Sequence, residues 1–126
     1  MLNSKTVALI LGVVFILVGG LGFVPNPLVS PSGLFVVNAA HNMVHVITGL
    51  AFVVGALVFS GKESLVIKII GVAYLSIAIL GFFTSGHMLL GIVHINIADR
   101  WLHLGLAIAI LAAGFTFKPA PVQHIA

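Results

Sequence analysis

Two short stretches of this sequence carry most of the side chains that could do chemistry. NAAHNMVH, at 38–45, holds His41 and His45, and NIADRWLH, at 96–103, holds Asp99 and His103. Because residues i and i+4 share one face of a helix, each pair would project from the same side. Imidazole and carboxylate groups are ligands of zinc and of non-haem iron. These four residues are therefore a candidate site for a divalent transition metal.

A haem site is the alternative for two of these histidines. His45 and His103 occupy the same position in their respective stretches, 58 residues apart. If both stretches are helical, the two side chains lie at equal depth on neighbouring helices. Paired histidines of this kind serve as axial haem ligands inside helical bundles.

Composition places these residues in a membrane protein. Of the 126 residues, 61% are hydrophobic and 6% are charged, and the mean hydropathy is +1.33. A soluble domain has about 25% charged residues, so the lipid bilayer is the expected surrounding. The five basic residues are scattered and form no patch, which argues against a nucleic-acid partner. The absence of cysteine excludes thiolate metal sites.

Four segments are long and apolar enough to cross a bilayer as helices of about 20 residues. They run over about 6–24, 38–59, 65–84 and 96–117. The first is too long for a cleavable signal core, lacks a cleavage site after it, and stops at the prolines of PNPLVSPSG. We expect a single transmembrane domain over residues 1–126, with SGKES at 60–64 as a polar turn.

The positions of the basic residues predict the orientation. Lys5, Lys62, Lys68 and Lys118 fall on the side that holds both termini, and Arg100 falls on the other. By the positive-inside rule both termini are cytoplasmic in a bacterial inner membrane. The two histidine stretches then face outward.

An internal repeat explains why the polar pattern occurs twice. At a shift of 58, His41 aligns with Asp99 and His45 with His103, and at a shift of 59, LGVVFILVGGLGF at 11–23 aligns with IGVAYLSIAILGF at 70–82. This alignment predicts two helical hairpins of parallel topology, at about 1–60 and 61–118. We predict an all-α membrane four-helix bundle in which the four candidate ligands converge near a pseudo-twofold axis, since polar faces in lipid turn inward.

The same stretches carry a family resemblance. HNMVHVITG at 41–49, NIADRWLHLG at 96–105 and GFVP at 22–25 resemble the motifs of an uncharacterised family of small bacterial four-span membrane proteins. Arg100 stands where that family tends to have asparagine. The resemblance implies the four-span fold and the importance of the paired motifs, and it implies no activity.

A structural role is the main alternative to ligand binding. Asn38 and Asn96 are good N-cap residues, and Asp99 is placed to complete a capping box. The histidines would then hydrogen-bond across helices, and the protein would be an accessory subunit of a larger membrane complex or a homo-oligomer. The stripe of Gly105, Ala109 and Ala113 would suit close helix packing.

Catalysis and transport have less support from the sequence. There is no nucleophile motif, phosphate-binding loop or carboxylate pair, so we expect a protein that is not an enzyme. Below the histidines the spans offer Thr48, Tyr74 and Ser76 as polar groups, which do not make a path across the membrane. The remaining histidines are expected to be exposed: His87, His94 and His124.

Overall fold

The computed structural model describes residues 1–122; residues 123–126, with the predicted exposed His124, lie outside the described part. Residues 1–122 form four long helices: α1 Ser4–Leu21, α2 Ala39–Val58, α3 Glu63–Phe83 and α4 Ile97–Thr116. All four are long and apolar enough to cross a membrane. The predicted all-α membrane bundle is confirmed. The four helices overlap the four predicted spans, and the positions of the membrane boundaries along them stay a prediction.

Asparagine side chains begin three of the four helices. Each has extended backbone, and its side-chain oxygen accepts from the N–H three residues later, which satisfies a donor that the helix leaves free; they are Asn3, Asn38 and Asn96. Lys62 precedes α3 without a side-chain cap from any described residue. This helix starts at Glu63, inside the predicted polar turn, and the Glu63 side chain is buried.

The helices pack as two hairpins, α1 along α2 and α3 along α4, with sparser contacts between the hairpins. Glycine allows the backbones of the first hairpin to approach closely. A Cβ added to Gly49 would lie 2.6 Å from the carbonyl oxygen of Gly12, and one added to Gly19 would lie 2.8 Å from that of Asn42. Only a residue without a side chain fits such a crossing. Gly105, by contrast, has open space around it in the described part of the chain.

The bundle core contains aromatic and small side chains from all four helices: Val7, Ala8, Phe15, Phe52, Ala56, Ile67, Tyr74, Ala107 and Ile110. Large apolar side chains such as Leu17, Ile47, Ile69 and Ile108 point outward and stay exposed. Exposure of this apolar surface to water would be unfavourable, whereas in a bilayer it contacts lipid. Of the predicted small-residue stripe of α4, Gly105 and Ala109 are exposed, whereas Ala113 is half-buried and packs against the core.

Each hairpin contains an ordered loop with two short strands, which the sequence analysis did not predict. Between α1 and α2, β1 (Val29–Ser30) pairs in parallel with β2 (Phe35–Val36). Between α3 and α4, β3 (Met88–Leu89) pairs antiparallel with β4 (Val93–His94). Both loops connect to the N-termini of α2 and α4, so they lie beside the two histidine stretches.

Candidate metal centre

Three histidines converge at the loop end of the bundle. His41 and His45 occupy the first two turns of α2, and His103 occupies the second turn of α4. One ring nitrogen from each can be chosen so that all three lie within 4.8 Å of one another. The ring centroids are 4.7 Å apart for His41 and His45, 5.3 Å for His41 and His103, and 6.2 Å for His45 and His103. We refer to these three residues as the histidine triad.

The triad is shielded from solvent and from lipid. The exposed fractions of the side chains are 2% for His41, 4% for His45 and 5% for His103. The i,i+4 spacing on α2 places His41 above His45 on the inward face, and the N-cap of Asn38 fixes where that face begins. Buried polar groups normally have hydrogen-bond partners. The partners of the triad therefore indicate its role.

His41 has one ring nitrogen engaged and one free. Its Nδ1 lies 2.7 Å from the backbone carbonyl oxygen of His94. Because a carbonyl only accepts, Nδ1 must carry the hydrogen, and Nε2 of the neutral ring is left as the lone-pair nitrogen. Nε2 is buried and has no hydrogen-bond partner within residues 1–122. A ring that donates one N–H to a carbonyl and keeps the other nitrogen free is the usual state of a metal-ligating histidine.

His45 makes no hydrogen bond to any described residue, although both of its ring nitrogens are buried. Its ring contacts Phe15 edge to face, with centroids 5.8 Å apart. Two small apolar cavities adjoin it. One, of about 120 Å³, lies towards α1 beside Phe15 and Leu106. The other, of about 150 Å³, lies towards α3.

The second cavity is lined by the whole histidine triad and by Tyr74. The Tyr74 hydroxyl donates to Thr48 Oγ1 at 3.1 Å, and its ring centroid is 6.3 Å from that of His103. In the sequence, Tyr74 and Thr48 stand only as isolated polar groups. The repeat offered a signal, since Tyr74 of the second hairpin aligns with Phe15 of the first, which contacts His45.

The structure does not bring Asp99, the fourth predicted ligand, into the triad. Its carboxylate accepts from the Asn96 N–H at 2.9 Å, while the Asn96 side-chain oxygen accepts from the Asp99 N–H at 2.9 Å. This reciprocal pair is a capping box. Asp99 is therefore engaged at the start of α4, one turn before His103.

Hydrogen bonds between the two hairpins hold the site together. The side-chain amide of Asn38 donates to the carbonyl of Ile92 at 2.9 Å, and that of Asn96 donates to the carbonyl of Leu34 at 2.9 Å. These two bonds run in opposite directions between positions that are 58 residues apart, which the predicted repeat would make equivalent. Each helix that carries triad residues is thereby tied to the loop of the other hairpin. Sequence reasoning predicted the two asparagines as caps and missed this second bond.

The two strand-containing loops add further contacts but no triad member. The ring centroids of His87 and His94 lie 6.0 Å apart. His94 bonds to the triad through its backbone carbonyl, which accepts from His41, and not through its ring. Arg100 donates to the Gly86 carbonyl at 2.7 Å, which anchors the second loop to α4. Trp101 packs edge to face on Phe82, and both side chains are exposed on the bundle surface.

A four-helix membrane bundle with buried histidines at one end is the class of protein that this fold and site define. The chain belongs to the family described as a domain of unknown function, DUF4383, whose sequence profile matches residues 5–116. The resemblance to an uncharacterised family is thereby confirmed. No curated protein and no solved structure gave a match to the chain.

Proposed function

We propose that this protein is a small non-enzymatic membrane protein that binds a divalent transition metal through the histidine triad. The observation that carries the proposal is the set of buried nitrogens without partners: His41 Nε2 and both ring nitrogens of His45. A purely structural role, in which the histidines hydrogen-bond across helices, would need partners for them. Leaving a buried polar group unsatisfied costs about 1–3 kcal/mol. A metal ion would bind His41 Nε2 and one of the two His45 nitrogens, and so remove two of these three penalties.

The spacing of the triad suits a metal ion. Zinc–imidazole bonds are about 2.0–2.1 Å, so two nitrogens on one ion lie at most about 4.2 Å apart. The triad nitrogens lie within 4.8 Å of one another, and small side-chain rotations would bring them to bonding distance. Neutral imidazoles favour zinc and iron over magnesium or calcium. The adjoining cavity of about 150 Å³ has room for a water molecule as a fourth ligand.

Haem is less well supported as the ligand. Organic ligands of drug size occupy pockets of roughly 300–1,000 Å³, whereas the two cavities beside His45 measure about 120 and 150 Å³. The His41 ring also lies 4.7 Å from the His45 ring, on the side of the second cavity. A porphyrin between His45 and His103 would have to displace it.

The surroundings of the triad favour binding over catalysis. Besides Tyr74, the second cavity is lined by Val44, Ile77, Leu89, Leu90 and Val93, which offer no acid, base or nucleophile. We place the triad near the outer surface of a bacterial inner membrane with both termini in the cytoplasm. Four of the five basic residues lie at the opposite end of the bundle, which supports that orientation. A role as an accessory subunit is compatible with metal binding.

Metal analysis of the purified protein tests the proposal. We expect about one zinc or iron ion per chain and no Soret absorption band, because the triad forms one site for an ion. The His45→Gln/His103→Gln variant should lose the ion and keep its helical circular dichroism. His87→Gln is the matched control, because His87 is exposed and lies outside the triad.

Three results would overturn the proposal. The first is a double variant that retains as much metal as the His87→Gln control. The second is wild-type protein that contains no metal after purification and takes up neither zinc nor iron when these are added. The third is a Soret band that is lost in the double variant, which would assign the site to haem.

A further inference from the structure

A crevice of about 530 Å³ lies at the end of the bundle opposite the histidine triad. It runs between the first turns of α3 and the last turn of α4, and the segment after α4 closes one side. Its lining includes Lys62, Lys68 and Lys118, and also Ser64, Leu65 and Phe115. None of these residues belongs to the candidate metal centre. We call this feature the lysine crevice.

The lysine crevice concentrates positive charge, contrary to the expectation from the sequence that the basic residues form no patch. It holds three of the five basic residues of the chain, while Arg100 lies at the other end of the bundle and Lys5 lies on α1. The chain has two acidic residues, Glu63 and Asp99. Asp99 is in the capping box at the far end, and the Glu63 side chain is buried and does not line the crevice. Among residues 1–122, the three lysines therefore have no carboxylate beside them in the lining of the crevice.

The walls of the crevice include exposed apolar side chains. Leu65 and Phe115 expose 53% and 74% of their surface, and the Lys68 ammonium nitrogen lies 4.5 Å from the centre of the Phe115 ring. Lys68 is five residues into α3, which puts its backbone about 7.5 Å along the helix from Glu63. The Lys68 ammonium group thus lies against an exposed apolar ring. A phospholipid likewise carries its phosphate next to its acyl chains.

We propose that the lysine crevice binds the headgroup phosphate of an anionic phospholipid. The phosphate contacts the lysines, and the acyl chains lie along Leu65 and Phe115. Basic residues near a membrane surface each contribute about 1 kcal/mol to binding of anionic lipid, which is roughly fivefold in affinity. The inference is independent of the metal site, since the two features lie at opposite ends of the bundle.

Native mass spectrometry of the full chain in neutral detergent tests this assignment, with phosphatidylglycerol and phosphatidylcholine at equal concentrations. We expect wild-type protein to bind phosphatidylglycerol about tenfold or more tightly than phosphatidylcholine. Lys68→Gln should lower the affinity for phosphatidylglycerol roughly fivefold. Lys5→Gln removes the same charge from outside the crevice and should have less than about a twofold effect. The Lys62→Gln/Lys68→Gln/Lys118→Gln variant should not distinguish the two lipids.

Three results would overturn the proposal. Equal binding of the two lipids by wild-type protein would show that the crevice does not recognise the headgroup charge. Equal losses in Lys68→Gln and Lys5→Gln would assign the effect to net charge alone. Inorganic phosphate that binds as tightly as phosphatidylglycerol would make the crevice a site for a soluble anion. If the triple variant fails to fold, the two single variants decide the question.

Discussion

Among the three residues of the histidine triad, His45 gives the strongest evidence for a bound ligand. Both of its ring nitrogens are buried without a partner in residues 1–122. A metal bound through either nitrogen removes one of these penalties, each worth about 1–3 kcal/mol. His41 is already oriented by the bond from its Nδ1 to the His94 carbonyl. The two residues thus differ, because His41 is held by a hydrogen bond to the second loop and His45 is held by packing alone.

Substitutions of Asp99 distinguish its role as a helix cap from a role as a metal ligand. In Asp99→Asn the amide oxygen can still accept from the Asn96 N–H. We therefore expect the free energy of unfolding to change by no more than about 1 kcal/mol and the bound metal to remain. Thermal unfolding and metal analysis of the same preparation measure both quantities.

The comparison variant at this position is Asp99→Ala, which removes the acceptor. It should lower the free energy of unfolding by about 0.5–2 kcal/mol, as loss of a helix cap does, and still hold the ion. If Asp99→Asn unfolds like the wild type but has lost its metal, the carboxylate is a ligand and the capping interpretation is incomplete.

At the scale of elements, the helices could be predicted from the sequence and the loops could not. Apolar runs of membrane-spanning length and the asparagines before α2 and α4 gave the helices. Strands of two residues are too short for an alternating pattern to show. The first loop is instead ordered by Asn26, whose side-chain amide donates to the carbonyls of Leu21, Val24 and Val29. Nothing in the sequence distinguishes that asparagine from one in an irregular turn.

The close crossing of α1 and α2 gives a prediction for glycine substitutions. Gly49→Ala places a methyl group 2.6 Å from the Gly12 carbonyl oxygen, so the helices must separate. We expect a loss of roughly 1–3 kcal/mol in the free energy of unfolding, typical of overpacking. Unfolding in mixed micelles, followed by circular dichroism, measures it.

Gly105→Ala is the control for this experiment, because Gly105 has open space around it within the described residues. Alanine is the better helix former, so this variant should be at least as stable as the wild type. Equal destabilisation of the two variants would mean that the close crossing is not what requires glycine at position 49.

At the scale of the whole molecule, the repeated pattern was the most informative feature of the sequence. It placed His41, His45 and His103 at one end of the bundle, and the structure brings these three together. The pattern could not show that the Asp99 carboxylate would bond to Asn96. An aspartate at this position suits a metal ligand and a helix cap equally well. The bonds from Asn38 to Ile92 and from Asn96 to Leu34 are what a duplication would produce. The duplication itself stays a prediction.

The proposed orientation has its own test, which the absence of cysteine makes simple. Ser32 lies in the first loop and Ser60 follows α2, so these two exposed residues lie at opposite ends of α2. Each can be replaced singly by cysteine. We expect a membrane-impermeant thiol reagent to label Ser32→Cys in intact cells and Ser60→Cys only after the membrane is opened, as the positive-inside rule requires. The reverse pattern would invert the orientation, and labelling of both in intact cells would contradict the membrane-spanning assignment of α2.

X-ray absorption spectroscopy of the zinc-loaded protein identifies the metal ligands themselves. We expect three imidazole nitrogens at about 2.0–2.1 Å from zinc, with the multiple scattering of imidazole rings. That signal should be lost in the His41→Gln/His45→Gln/His103→Gln variant. A shell of oxygen ligands without imidazole scattering, or a spectrum unchanged in the variant, would contradict this expectation.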